Sequence, residues 1–463
     1  MKKSKIATLV TSFLIATSLQ VRADEKLDGH WEGNIEVLGT KLDILVDIDS
    51  KDENNINATI DIPQQGAKGL VLKNIIYKEP NLIMQLKEAN NAEFKGQVSG
   101  DTIKGDFSQS GYVGTFKLAK KAKEKSLYRE EEVNLKHGDV NLSGTLSFPN
   151  EKKENYPAIL LITGSGQQTR DEEIFGFKIF KIIADHLNKN GIAVLRLDDR
   201  GAGKSKGGDI KNSTTLDFVT DAEEGVKFLV NHKEIDKKKI GLLGHSEGGI
   251  IAPILAQKNK NVSFMILMAG TSETGEKILS EQNELISKVS KIPEDKIKQS
   301  LDFQKKYFKA LKTNEGWEDI EKALRKQILE SIENLPKEAK KNIKDINAYT
   351  EENINKSLES LKSNWLKFFI EYDPLPVLKK TKIPTLALFG EKDLQVPSKT
   401  NAPLMESALK KSGNKQYLVK VLPNANHLFQ NAKTGSPEEY SSLEKSFVPE
   451  FLDTISDWIS KNI

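Results

Sequence analysis

Cysteine is absent from the 463-residue chain. That excludes disulfides, thiol catalysis, cysteine-bound metals and a lipid-modified cysteine, so stability must come from packing, which a chain of this length can supply. Histidine is scarce, at 6 residues, so any site that needs an imidazole has few candidates. No segment beyond the first two dozen residues approaches the roughly 20 apolar positions of a membrane span. Charge of one sign is not in excess either: the formal net charge is +3. That balance draws the protein toward neither nucleic acid nor anionic lipid. No metal-ligand cluster stands out, and the chemistry read below needs no metal and no cofactor.

What is present starts with Met1-Lys2-Lys3-Ser4-Lys5, an apolar stretch from Ile6 to Val21, and Val21-Arg22-Ala23. A basic start, a short apolar middle and small residues at −3 and −1 read as a secretory signal over 1–23, cleaved after Ala23. The expectation is export, to a periplasm or outside the cell, with no integral membrane segment left. Without the four cations of that segment, 65 basic residues face 66 acidic ones.

From 24 to 120 the pattern is strand-like. Leu42, Ile44, Val46 and Ile48 alternate with other residues, and Gly and Asn punctuate such runs, which predicts a small antiparallel sheet or barrel. A basic, polar linker over 121–129 follows. From 130 to 463 the rhythm changes. A hairpin (Glu131–Leu135, Val140–Phe148) leads into apolar runs that alternate with helical patterns. Ala158–Thr163, Ile192–Leu197, Ile240–Leu243, Phe264–Met268, Thr385–Phe389 and Tyr417–Leu422 read as strands. Strands buried on both faces with crossover helices predict an α/β fold with a parallel sheet. Between about 271 and 372 the chain turns charged and helix-like instead. A structureless loop that long is improbable in a compact domain, so this segment predicts a helical cap.

One stretch carries the chemistry. In "KIGLLGHSEGGIIAPILA" a branched apolar run stops at Gly244-His245-Ser246-Glu247-Gly248, and a helical pattern starts at once. A serine between small residues at a strand-to-helix turn fits G-x-S-x-G, where the glycines admit a strained turn that exposes the hydroxyl. A hydroxyl is a weak nucleophile and needs a base. His30 and His137 lie outside the sheet-and-crossover region, His186 and His232 lie on or at the ends of crossover helices, and His245 points away inside the turn. His427, in "LPNANHLF" after the last strand, is left. For the carboxylate that fixes the imidazole tautomer, "LFGEKDLQVP" offers Glu391 and Asp393; Asp393 is the better candidate, with Glu391 a solvated or ion-paired residue. The order Ser246, Asp393, His427 is that of an α/β-hydrolase. Backbone N–H groups of Glu247 and of Ser165, in "TGSGQQTRD", would hold an oxyanion. "RGAGKSKGG" mimics a phosphate loop, but Asp198 stands where its first glycine belongs.

"LRLDDRGAGKSKG", "DFVTDAEEGVKFLVNHKEIDKKKIGLLGHSEGGIIAPILA" and "LALFGEKDLQVP" resemble the secreted bacterial esterases of the α/β-hydrolase superfamily, the EstD-type, serine-aminopeptidase-like hydrolases. The resemblance runs from about residue 130 onward. It implies the triad Ser246, Asp393 and His427, an oxyanion loop in which Gln167 replaces a common proline, and a structural turn at Arg200-Gly201. The implied partner is a small-molecule ester. Peptidase and thioesterase chemistry would use the same triad, and a non-catalytic binding protein is a third reading. Trp365, Phe368, Phe369 and Tyr372 fit either an acyl pocket or the packing of cap helices. Oligomeric state is not legible.

Overall fold

The computed structural model describes residues 27–37, 39–52, 55–62, 67–86, 92–121, 128–151, 153–335, 340, 343 and 345–463. The signal expected over 1–23 and most of the linker expected over 121–129 lie outside the described residues. The chain divides into two compact units, Met1–Lys125 and Ser126–Ile463.

The first unit is a closed barrel of eight antiparallel strands: β1 Gly29–Val37, β2 Thr40–Asp52, β3 Asn55–Ile62, β4 Ala67–Lys78, β5 Asn81–Leu86, β6 Ala92–Ser99, β7 Thr102–Gln109 and β8 Tyr112–Lys121. Closure joins β1 to β8, with Gly33 opposite Leu118. Period-two alternation sends one set of side chains inward, among them Trp31, Ile44, Val46, Phe94, Ile103 and Phe116, all buried. Closing the sheet leaves no strand edge to pair with another chain.

The second unit is a three-layer α/β structure. Its strands are β9 Tyr128–His137, β10 Val140–Pro149, β11 Tyr156–Ile162, the two-residue pair β12 Glu173–Ile174 and β13 Phe177–Lys178, β14 Ala193–Leu197, β15 Ile235–His245, β16 Val262–Met268, β17 Thr385–Gly390 and β18 Tyr417–Leu422. Apart from β12 and β13 they form one sheet in the order 18-17-16-15-11-14-10-9, parallel from β18 through β14. The expected hairpin, β9–β10, is the antiparallel end of this sheet, because β10 pairs with β14 from Gly144–Leu197 to Ser147–Val194. His137 therefore lies in the sheet rather than outside it, and its ring sits 2.6 Å from Asp221.

The crossover helices are α1 Ile179–Lys189, α2 Thr215–Asn231 and α3 Gly248–Lys258. The cap follows β16 as α4 Gly275–Val289, α5 Glu294–Thr313, α6 Trp317–Glu333, α7 Ile346–Leu361 and α8 Asn364–Glu371; α9 Leu375–Leu378, α10 Ser398–Lys411 and α11 Phe451–Asn462 complete the unit. Ser363 separates α7 from α8 by accepting the Leu366 N–H as the N-cap of α8. Among the described residues no helix is long and apolar enough to cross a membrane.

Candidate active site

Strand register brings the first two parts of the site together. β11 runs beside β15 with Ile162 opposite Gly244, so two residues on, one chain reaches Gly164 and the other Ser246. Ser246 has φ +53°, a conformation that L side chains rarely adopt, and its N–H donates to the Met268 carbonyl at 2.8 Å. The flanking glycines make that turn possible. A Cβ on Gly244 would stand 2.0 Å from the Gly248 carbonyl oxygen, and one on Gly248 would stand 2.2 Å from that of Ile162. The hydroxyl is thus carried at the sheet's carboxyl edge, two residues before α3 begins.

The other half comes from the loops after β17 and β18, which pair with each other: the Lys392 N–H donates to the Ala425 carbonyl at 2.8 Å. Asp393 Oδ2 lies 2.9 Å from His427 Nδ1, while its Oδ1 accepts the N–H groups of Gln395 at 2.8 Å and Val396 at 2.9 Å. Both residues are buried, Asp393 behind the imidazole. Ser246, His427, Ser165 and Glu247 line one cleft of about 270 Å³, with Trp365 and Phe369 of the cap on its rim. Among the described residues, neither the Glu247 nor the Ser165 N–H donates to a protein acceptor.

The other candidates separate cleanly. Glu391 is exposed and accepts the Asn424 N–H. His30 bonds Asp47, His186 bonds Ser456, and His232 packs on Phe148. Gln167 donates to the Arg200 carbonyl at 3.2 Å, and the Arg200 guanidinium is buried against Asp221. Trp365 stacks on Phe369 with centroids 5.2 Å apart, whereas Phe368 and Tyr372 stack on each other outside the cleft lining. Glu131, His232 and Glu234 converge with metal-ligand spacing. Arg129 occupies the cation position there, 2.6 Å from Glu131 and 2.7 Å from Glu234.

Against known proteins, residues 177–433 match the family model described as "Serine aminopeptidase, S33". The chain belongs to this S33 family. It is 27% identical to Esterase EstD of Thermotoga maritima over 326 residues, 69% of this chain and 66% of that one. The multifunctional-autoprocessing repeats-in-toxin of Vibrio cholerae is 32% identical over 126 residues, 26% of this chain and 2% of the toxin. A solved Pyrococcus furiosus esterase is 15% identical with a TM-score of 0.43, covering 74% of this chain and 95% of that one.

Two features of this S33 site escape a reading of the sequence. The first is Glu172, a buried residue in the wall of the cleft. Its Oε1 accepts the Gly164 N–H at 2.8 Å and lies 2.9 Å from His245 Nδ1, and the His245 Nε2 lies 3.0 Å from the His427 carbonyl oxygen. Both ring nitrogens of His245 face acceptors, so a proton on each satisfies both. Burial alone would push that imidazole down, but the Glu172 charge and hydrogen bond and the His427 carbonyl outweigh it and raise its pKa. One side chain pair thereby ties together the loop after β11, the turn at Ser246 and the loop after β18.

The second feature is a pair of carboxyl groups whose pKa values burial raises. Burial raises the pKa of Glu247, whose Oε1 accepts from Thr215 Oγ1 at 2.7 Å and from Trp365 Nε1 of the cap at 2.8 Å. Burial likewise lifts Asp199 to about 8, although Thr163 and the Gln168 N–H both donate to it. It is half-buried and lines a second cavity. Its folded pKa lies above its ordinary value of 3.8, so its contribution to stability is complete below about pH 4 and lost as pH rises toward 8. Asp199→Asn keeps the acceptor for Gln168 and cannot ionise. Thermal unfolding at pH 5 and pH 8 is expected to show the native protein losing roughly several kcal/mol more than the variant across that window. Equal losses in the two proteins would refute the assignment.

Proposed function

We propose that the chain is a carboxylesterase-type serine hydrolase working through an acyl-enzyme. The observation that carries this is Ser246, in its strained turn, sharing a cleft with the imidazole of the His427–Asp393 pair. His427 Nε2 takes the Ser246 proton as Oγ attacks the ester carbonyl. The oxyanion forms against the Glu247 and Ser165 N–H groups, at the positive end of α3. Collapse breaks the C–O bond to the alcohol, which leaves with the proton from His427. A water then gives its proton to His427 and attacks the acyl carbon, and the second collapse frees the acid and returns the proton to Ser246. The name of the Thermotoga relative points the same way.

Aminopeptidase action is the second reading, favoured by the family's description. A free N-terminus needs an anion to receive its ammonium. The carboxyls lining the cleft are Glu172, paired with His245, and Glu247, bonded to Trp365 and Thr215 and raised in pKa by burial. Glu172 already faces the His245 imidazole and Glu247 already accepts two donors, which favours the ester.

A fluorophosphonate probe followed by peptide mass spectrometry tests the reading. The expected adduct sits on Ser246 alone; modification elsewhere, or nowhere, removes the proposal. Export is proposed from residues 1–23 only, and an intact mass beginning at Asp24 in the same measurement on material from the expressing cells supports it.

A further inference from the structure

The cleft is not all the space beside Ser246. A second cavity of about 260 Å³ shares Gly164, Glu247 and Trp365 with it as walls and runs on between the ends of β10, β11 and β14 and helix α2. Leu142, Leu160, Ile162, Leu197, Phe218 and Ala222 form most of its surface. Native interiors hold few voids larger than a water molecule, and an apolar void of ~150 Å³ already accepts benzene. An apolar recess of this size beside Ser246 fits an apolar ligand group.

The polar groups on the wall are all committed to protein partners. Asp199 takes Thr163 and Gln168, Asp198 is bound by Arg170, Arg200 is bound by Asp221, and Glu247 holds Thr215 and Trp365. Asp198 and Asp221 on this wall are ion-paired with Arg170 and Arg200, and burial lifts Asp199 to about 8 and raises Glu247, so an aliphatic chain meets little unpaired charge there.

Direction decides which part of an ester enters. The leaving alcohol must receive its proton from His427, so the alcohol lies on the side lined by Val396, His427, Leu428 and Tyr440. The acyl group extends the other way, toward Gly164, Glu247 and Trp365, and these three residues are the shared wall. Resting on the serine-hydrolase reading above, we propose that this second cavity receives the acyl chain and that the substrates are esters of medium-length aliphatic acids. The Trp365–Glu247 hydrogen bond, which joins cap helix α8 to the nucleophile turn, is the threshold the chain passes, and Trp365 is a specificity-determining residue.

Ala222→Phe fills the cavity from α2 without reaching the cleft, whose lining does not include it. We compare kcat/KM for p-nitrophenyl acetate, butyrate and octanoate. The native protein is expected to prefer octanoate over acetate, and Ala222→Phe to lower the octanoate-to-acetate ratio on the order of 10²-fold, since each buried methylene contributes to transition-state binding. Phe218→Ala enlarges the same space and is expected to move the optimum to longer chains, which keeps the test open if Ala222→Phe does not fold. A ratio unmoved in both variants overturns the inference. So does a variant that instead discriminates ethyl acetate from hexyl acetate, because the cavity would then hold the alcohol. A native protein that cleaves acetate and is labelled on Ser246 but shows no such preference fails here alone. One that cleaves no ester and takes no label removes the hydrolase reading itself.

Discussion

Ser246→Ala is expected to lower kcat for p-nitrophenyl acetate on the order of 10⁶-fold, while leaving a residual rate above that of water. The reason lies in how the work is divided. On the proposed mechanism the hydroxyl oxygen forms the covalent bond, and its removal ends acyl transfer. The Glu247 and Ser165 N–H groups and the cleft survive the change, so a bound ester still meets a polarising environment. The fold is expected to survive as well. Alanine inherits the same left-handed backbone at φ +53°, and Ser246 Oγ is not among the groups that tie the site's loops together, which are Glu172, His245 and the Lys392–Ala425 bond. Ser246→Gly should be equally inactive but more stable, because glycine alone relieves the strained φ. Steady-state assays with thermal melts check all three proteins. Loss of less than 10³-fold in Ser246→Ala, with the melt unchanged, would show that another group is the nucleophile.

Much of this architecture is legible because it rests on local signals. The pentapeptide at 244–248 announces its turn through small residues where any Cβ would strike backbone. The parallel strands are near-continuous apolar runs because both sheet faces are covered. Barrel strands alternate because only one face is buried. What the sequence conceals is set by tertiary placement. Asp198 and Asp199 are adjacent and chemically identical. Yet Asp198, though burial alone would raise it, is held low by Arg170 and by backbone N–H groups, while Asp199 rises to about 8. Asp171, Glu172 and Glu173 present the same ambiguity. A positive φ of 45° accompanies Glu172 in its buried position, and nothing in the run Asp-Glu-Glu marks it out. His245, which shares the cleft lining with Ser246, is not marked by the sequence as the partner of that glutamate.

Asp393→Asn is expected to lower kcat about 10⁴-fold with little change in thermal stability, and the geometry says why. Asp393 Oδ1 accepts two backbone N–H groups, from Gln395 and Val396. An asparagine there can satisfy both only with its carbonyl oxygen, so its NH₂ is forced into the place of Oδ2, facing His427 Nδ1 across 2.9 Å. Two donors cannot face each other. Nδ1 must then give up its proton and accept from the amide, which puts the ring's proton on Nε2. That nitrogen is the one that has to take the proton of Ser246, and in this tautomer it has no lone pair to do so. The loss therefore falls on kcat rather than on KM, and the isosteric amide keeps the loop folded. A ¹⁵N spectrum of the His427 ring would place its proton on Nδ1 in the native protein and on Nε2 in the variant. A variant within 100-fold of native activity, or one whose ring proton stays on Nδ1, would mean that Asp393 does not set the tautomer of the base.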